Sequence, residues 1–289
     1  QAAVLAPGTA VSGTLSSANA SALYQFTATA GSQYFFDYQS ASNGYYTYWR
    51  LIDPYGAVVF GPTQMYDNNV ADTGPLTLVN AGTYTLLVEG QINLGGTATY
   101  ALNVQELSAN RVPLTFGAPV TGGGVAGQRD AYSFNLASDT RVYFDARTND
   151  ANDTWTLIGP RGTVVSRRSF TASDSINFSN SPVLDLVAGD YTLVIAVGAN
   201  PNYSFCLFDV GQVEVLTPGT AVSGTLSPAN ASNVYQFTAT AGSQYFFDYQ
   251  SASNGYYTYW RLIDPYGAVV FGPTQMYDNN VADTGPLTL

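Results

Sequence analysis

The chain has 289 residues, 46% of them hydrophobic, enough to fold as two to three globular domains. Charged residues make up only 10%, nine arginines and no lysine against 20 acids, and the net charge of −11 argues against nucleic acid or an anionic membrane as partner. Histidine is absent, which removes the commonest general base and metal ligand, and the single cysteine, Cys206, excludes an intrachain disulfide or a cysteine-built metal site.

No apolar run reaches the ~18 residues of a spanning helix, so no membrane insertion is expected. Gln1-Ala2-Ala3 lacks the basic start and apolar core of a signal peptide, so an exported protein would be a mature form or an internal window.

The first unit spans 1–106. Val11 to Leu15 reads as a short strand. Ala22 to Ala28 alternates Tyr24 and Phe26 with Gln25 and Thr27, the period of two of a half-buried strand. Gln33 to Gln39 alternates Tyr34, Phe36 and Tyr38 with Phe35 and Asp37. The Asn43-Gly44 pair predicts a turn through positive φ, and Tyr45 to Ile52 a strand ending at the Asp53-Pro54-Tyr55-Gly56 turn. Ala57 to Phe60 returns, a polar loop covers 61–74, and Leu76 to Val79, Thr83 to Val88 and Thr97 to Val104 complete about eight strands. Nowhere do apolar residues recur at helical spacing over three turns.

The second unit, 107–211, repeats the plan with other residues. Tyr132 and Phe134 answer Tyr24 and Phe26, Phe144 and Asp145 answer Phe36 and Asp37, Trp155 answers Trp49, and Tyr191 answers Tyr84. Trp49 and Trp155 are expected to anchor core strands. Tyr84 and Tyr191 follow a glycine turn, where a tyrosine hydroxyl can bond back to the chain. Units of this length with eight short strands predict an all-β fold of tandem antiparallel β-sandwiches.

The third unit, 212–289, is an incomplete copy of the first. Tyr24 to Leu78 returns residue for residue as Tyr235 to Leu289, at an offset of 211. Counterparts of the last two strands are not present, so either the array continues or another subunit supplies strands, as in donor-strand assembly. The short joints 106–113 and 211–218 each end in a proline, Pro113 and Pro218, and are expected to be stiff.

The run Gly-Thr-x-Val-Ser-Gly-Thr-Leu (from Gly8), then Tyr24-x-Phe26-Thr27-Ala28, then Leu51-Ile52-Asp53-Pro54-x-Gly56, then Ala81-Gly82-Thr83-Tyr84-Thr85-Leu86-x-Val88, resembles the bacterial pre-peptidase C-terminal (PPC) domain. Both complete units look like it, so the resemblance covers nearly the whole chain. It implies a jelly-roll-like β-sandwich of secreted proteins, often appended to proteases and sometimes binding matrix or calcium. No protease segment accompanies it here.

Candidate sites follow from what the units do not share. Tyr45, Tyr46 and Tyr48 stand where the second unit has Ala151, Asn152 and Thr154, and are candidates for fibre contacts or, as flat rings, for a sugar. Arg161, Arg167 and Arg168 crowd one hairpin and could face an acidic neighbour or simply solvent. Asn-x-Ser/Thr sequons at Asn19, Asn152, Asn177, Asn202 and Asn230 make glycosylation a candidate modification.

Calcium is the only cofactor with candidate ligands: Asp67-Asn68-Asn69 with Asp72, and Asn149-Asp150 with Asn152-Asp153. Neither set has EF-hand spacing, and loop solvation and turn formation explain both as well as calcium does. No catalytic residue is selected. The expectation is a non-enzymatic, self-associating subunit of a secreted fibre or surface stalk, with an adhesin or carbohydrate- or matrix-binding module as the alternative.

Overall fold

The computed structural model describes residues 2–93, 95–107, 111–124, 128–198 and 200–289, without the side chains of Asn68, Asn69 and Asn279. The fold is all-β. The chain divides into two compact units, Gln1–Arg111 with Arg129–Ala131, and Val112–Gln128 with Tyr132–Leu289.

The first sandwich contains β1 (Ala3–Val4), β2 (Val11–Leu15), β3 (Ser21–Ala28), β4 (Gln33–Ala41), β5 (Thr47–Ile52), β6 (Val58–Gln64), β7 (Thr73–Thr77), β8 (Gly82–Gly90) and β9 (Ala98–Glu106). One sheet runs β1-β3-β8-β5-β6, the other β2-β9-β4-β7. Pairing is antiparallel except for β1, which runs parallel to β3 with Ala3 opposite Tyr24. Alternation decides which side chains face inward. On β5 Trp49 and Leu51 are fully buried while Tyr48 and Arg50 are half-exposed; on β3 Tyr24, Phe26 and Ala28 point in. The inner rings touch across the sheets, Phe36 edge-on to Trp49 at 6.4 Å.

Strand β4 departs from the alternation expected of it. Tyr34 through Tyr38 are all buried, including Phe35 and Asp37, because the outer face of β4 is covered as well as the inner one. The region read as a polar loop, 61–74, extends β6 to Gln64 and then forms a single helical turn, α1 (Asn68–Ala71). Asp67 starts that turn by accepting the amides of Val70 and Ala71. The Asn43-Gly44 turn forms without positive φ: Asn43 has φ −130° and opens a 3₁₀ turn. Gly44 is required for space, since a Cβ there would lie 2.1 Å from the carbonyl oxygen of Met65.

The second sandwich repeats the plan with β10 (Val112–Pro113), β11 (Pro119–Gly123), β12 (Arg129–Leu136), β13 (Thr140–Ala146), β14 (Thr154–Gly159), β15 (Gly162–Ser169), β16 (Val183–Leu186), β17 (Gly189–Ala196) and β18 (Asn202–Asp209). Its sheets, β10-β12-β17-β14-β15 and β11-β18-β13-β16, have the strand orders of the first. Phe144 lies flat on Trp155 at 4.2 Å, and Trp155 is 1% exposed. Both tyrosines after the glycine turns bond back as expected, Tyr84 to the Asn80 carbonyl at 2.9 Å and Tyr191 to the Val187 carbonyl at 2.8 Å.

The third segment forms β19 (Glu214–Val215), β20 (Tyr235–Gln236), β21 (Gln244–Phe247), β22 (Tyr259–Ile263), β23 (Val269–Gln275) and β24 (Thr284–Thr288), with a second helical turn, α2 (Asn279–Ala282). They pair as β19-β20, β21-β24 and β22-β23. Trp260 and Leu262 are only half-buried where Trp49 and Leu51 are fully buried, because in the first sandwich β8 flanks β5.

Candidate interaction surfaces

The expected tyrosine strand is instead a 3₁₀ turn over Gly44–Tyr46 followed by β5. That change of conformation puts Tyr45 and Tyr46 outside, 61% and 49% exposed, and leaves Tyr48 half-buried with its hydroxyl 3.4 Å from Gln64 Nε2. Tyr45 stacks on Tyr66 with ring centroids 4.3 Å apart and planes at 12°. Their copies, Tyr256 and Tyr277, stack at 4.4 Å and 15°, with Tyr256 and Tyr257 63% and 86% exposed. Tyr55, in the Asp-Pro-Tyr-Gly turn beyond the other end of β5, is also exposed, at 80%, and escaped the sequence reading.

The three hairpin arginines do not share one environment. Arg161 is exposed at the turn between β14 and β15. Arg167 has φ 46° and its amide donates to Thr156 Oγ1 at 3.1 Å. Arg168 turns inward, its guanidinium 5.3 Å from the Trp155 ring and 4.7 Å from the Phe178 ring, so it caps the core.

Sequon residues Asn19, Asn152, Asn177, Asn202 and Asn230 are all exposed. Asn19 Nδ2 donates to the Ile92 carbonyl at 3.2 Å. The carboxylates proposed for calcium serve the backbone: Asp150 accepts the Asn152 and Asn200 amides, and Asp153 accepts the Gly198 amide at 2.7 Å. These bonds hold the Asp150 carboxyl below its usual range, whereas burial pushes Asp153 up. Asn68 and Asn69, the middle of the other candidate set, lie outside the described side chains. Cys206 sits buried on β18, and burial raises its thiol to about 11.

The most developed polar constellation was not singled out by the sequence reading. Within the first compact unit, Arg129 Nη2 lies 3.2 Å from Asp37 Oδ1 and 3.1 Å from Asp72 Oδ2, with all three side chains at most 6% exposed. The same guanidinium lies 4.3 Å from the centroid of the Phe35 ring. Asp72 is fixed by the Tyr38 amide at 2.9 Å. This is the cover on the outer face of β4.

The second unit contains a parallel arrangement. Asp174 accepts the Ala146 amide at 2.8 Å beside the fully buried Asp145, and Arg147 Nε donates to Asp145 Oδ2 at 2.7 Å. Tyr143 meets Ser232 Oγ at 2.7 Å. Burial dominates here, raising Asp145 and lifting Asp174 to about 7, with the like charge of Asp145 adding to the latter. Ser232 and Arg147 oppose the rise at Asp145. The signal that could have exposed both constellations was a charge mismatch between repeats: Arg129 stands where the first repeat has Ser21, and Arg147 where it has Gln39.

One arginine of the duplicated block is used in two ways. Arg50 pairs with Glu89 at 2.5 Å, whereas its copy Arg261 donates to the carbonyls of Ser175, Phe178 and Asn180.

No protein-family model matches the chain, and no curated protein matches it. Among solved structures, the CUB1-EGF-CUB2 domain of human MASP-1/3 is similar at 8% identity over 68% of this chain and 99% of that one, with a TM-score of 0.23. The CUB1-EGF-CUB2 domains of rat MASP-1 are similar at 8% identity over 68% and 97%, TM-score 0.21. A chain from the atomic structure of Sulfolobus turreted icosahedral virus is similar at 14% over 69% and 58%, TM-score 0.21. TM-scores this low do not establish a shared fold. Among the described residues, no helix is long and apolar enough to cross a membrane.

Proposed function

We propose that the chain is a structural subunit of a secreted bacterial extracellular fibre or surface stalk built from tandem β-sandwich repeats. The observation that carries this reading is the recurrence of one exposed, stacked tyrosine surface, Tyr45 on Tyr66 and Tyr256 on Tyr277, in two copies 211 positions apart. A surface displayed at a fixed step along a repeat array makes heterologous contacts that propagate. Rings that present area at little entropic cost, on a chain with few charges, suit such contacts. Export rests on the PPC resemblance.

The same rings support a second reading, an adhesin or carbohydrate- or matrix-binding module, because paired coplanar tyrosines offer a platform for a sugar face. Negative-stain imaging of the purified chain separates the two. Long regular fibres are expected. Monodisperse particles that bind a glycan or matrix array would replace the fibre with the module.

A further inference from the structure

One position of the repeat, its head position, opens β3 and β12, at Ser21 and Arg129, and lies three residues before β20, at Ser232. Tyr24, Tyr132 and Tyr235 correspond, each facing the short parallel strand before it, so Ser21, Arg129 and Ser232, three residues earlier, correspond too. Three acid pairs also correspond. Asp72 accepts the Tyr38 amide, Asp174 the Ala146 amide and Asp283 the Tyr249 amide, at 2.9, 2.8 and 2.8 Å. The residue before each amide is Asp37, Asp145 or Asp248.

In the two filled cases the head residue of the following repeat meets the acid pair of the preceding one. Arg129 enters the pair Asp37 and Asp72, over Phe35. Ser232 enters beside Asp145 and Asp174, bonded to Tyr143. One arginine bonds to each acid pair, and at the second pair the charge of Arg261 also acts on Asp174 while its hydrogen bonds go to backbone carbonyls. At the first the bonded arginine comes from the head position, Arg129. At the second it comes from Arg147, the residue that follows the socket strand β13, and the head residue is then a serine. Position 39 in the first socket, equivalent to Arg147, is a glutamine whose Nε2 reaches Asp37 Oδ2 at 3.5 Å. Two guanidiniums bonded at one pair would repel, and none would leave buried carboxylates without a bonded counter-ion.

The third pair repeats the first socket residue for residue: Phe246, Asp248, Gln250 and Asp283. Gln250 donates to Asp248, as Gln39 does to Asp37. But Phe246 is 55% exposed where Phe35 is 4%, and Asp248 is exposed where Asp37 is buried. We propose that Phe246, Asp248 and Asp283 are a docking socket for a guanidinium borne at the head of the third strand of a repeat of the second kind, and that Gln or Arg at positions 39, 147 and 250 sets which repeat fits. The occupant is an arginine-headed β-sandwich, because that is what the identical residues hold in the first copy. Such a code enforces alternation of the two kinds of repeat, whether or not the array forms a fibre.

The code is tested by swaps in the full chain, read by calorimetric unfolding. Arg129→Ser is expected to lower the melting temperature of the first unit by about 10 °C, the scale of breaking a buried ion pair. Adding Gln39→Arg, which moves the charge to the socket strand, is expected to restore most of it. In the second socket, Ser232→Arg is expected to be harmful with Arg147 present and tolerated with Arg147→Gln.

The occupant is tested by lengthening the chain with a second copy of 79–211 after Leu289. Asp248→Asn with Asp283→Asn should leave the present chain unchanged and destabilise the lengthened one. The proposal is overturned if Gln39→Arg does not rescue, if Ser232→Arg is indifferent to residue 147, or if the asparagine pair is silent in the lengthened chain.

Discussion

The hydroxyls of Tyr24 and Tyr100 meet at 2.7 Å across the two sheets of the first sandwich, and Tyr132 and Tyr203 repeat the contact at 2.6 Å in the second. Each pair depends on a glycine. A Cβ on Gly13 would stand 2.3 Å from the Tyr100 hydroxyl, and one on Gly122 equally close to that of Tyr203. Burial raises the Tyr100 hydroxyl's pKa, so it stays neutral and needs a hydrogen-bond partner. Tyr24→Phe removes that partner and should cost ~1–3 kcal/mol in denaturant unfolding. Tyr24→Phe with Tyr100→Phe should cost less than the two single changes added together; strict additivity would show that the hydroxyls are not coupled.

The tyrosine corners close each sandwich locally. Removing the Tyr84 hydroxyl leaves the Asn80 carbonyl without that bond, and Tyr191→Phe does the same to Val187. Each single change should cost about 1 kcal/mol with no change in strand content by circular dichroism. A change of less than a few tenths in both would remove the corner from the account of stability.

Assembly should depend on rings that folding does not use. Tyr45→Ser with Tyr46→Ser, and the same changes at Tyr256 and Tyr257, alter exposed side chains and should leave the melting temperature nearly unchanged. Fibre formation, followed by sedimentation and imaging, should fall steeply. Tyr48 is the internal control: it is half-buried, so its loss should affect stability as well. Undiminished fibres from the fourfold variant would exclude this surface.

Stability of the second unit should fall as pH rises through neutrality. The Asp174 carboxyl is lifted by burial from 3.8 to about 7, and Asp145 beside it is also raised. Between those two values the folded state holds a proton that the unfolded chain has released. The contribution is therefore complete below about pH 4 and is lost as pH climbs through about 7. Arg147, Arg261, Tyr143 and Ser232 act on the same acid pair and limit the size of the effect. Urea unfolding at pH 5 and pH 8 should give the higher midpoint at pH 5, and Asp174→Asn should narrow the gap. A gap unaltered in that variant would assign the pH dependence elsewhere, to the overall negative charge.

The readable parts of this fold were those written in short-range pattern. Alternation on 22–28 put Tyr24 and Phe26 on one side of their strand, the correspondence with Trp155 named Trp49 as a core anchor, and the glycine turns before Tyr84 and Tyr191 named the corners. Gly44 shows where reading by residue type went astray. Its pairing with Asn43 suggested a positive φ, while the true requirement is close approach to Met65, a neighbour that local sequence does not reveal. The same blindness placed Tyr45 and Tyr46 on a strand when they sit on a 3₁₀ turn.

Sequence alone determined that this protein is a β-sandwich array with a duplicated block, because strand period, turn chemistry and internal identity are all properties of neighbouring or repeated residues. Tertiary structure alone decided that Asp37 and Asp72 hold Arg129, that Arg168 caps Trp155, and that one face of β4 is covered on its outer side. Those contacts join residues far apart in the chain, and burial with charge, which only the folded arrangement sets, chooses the partner.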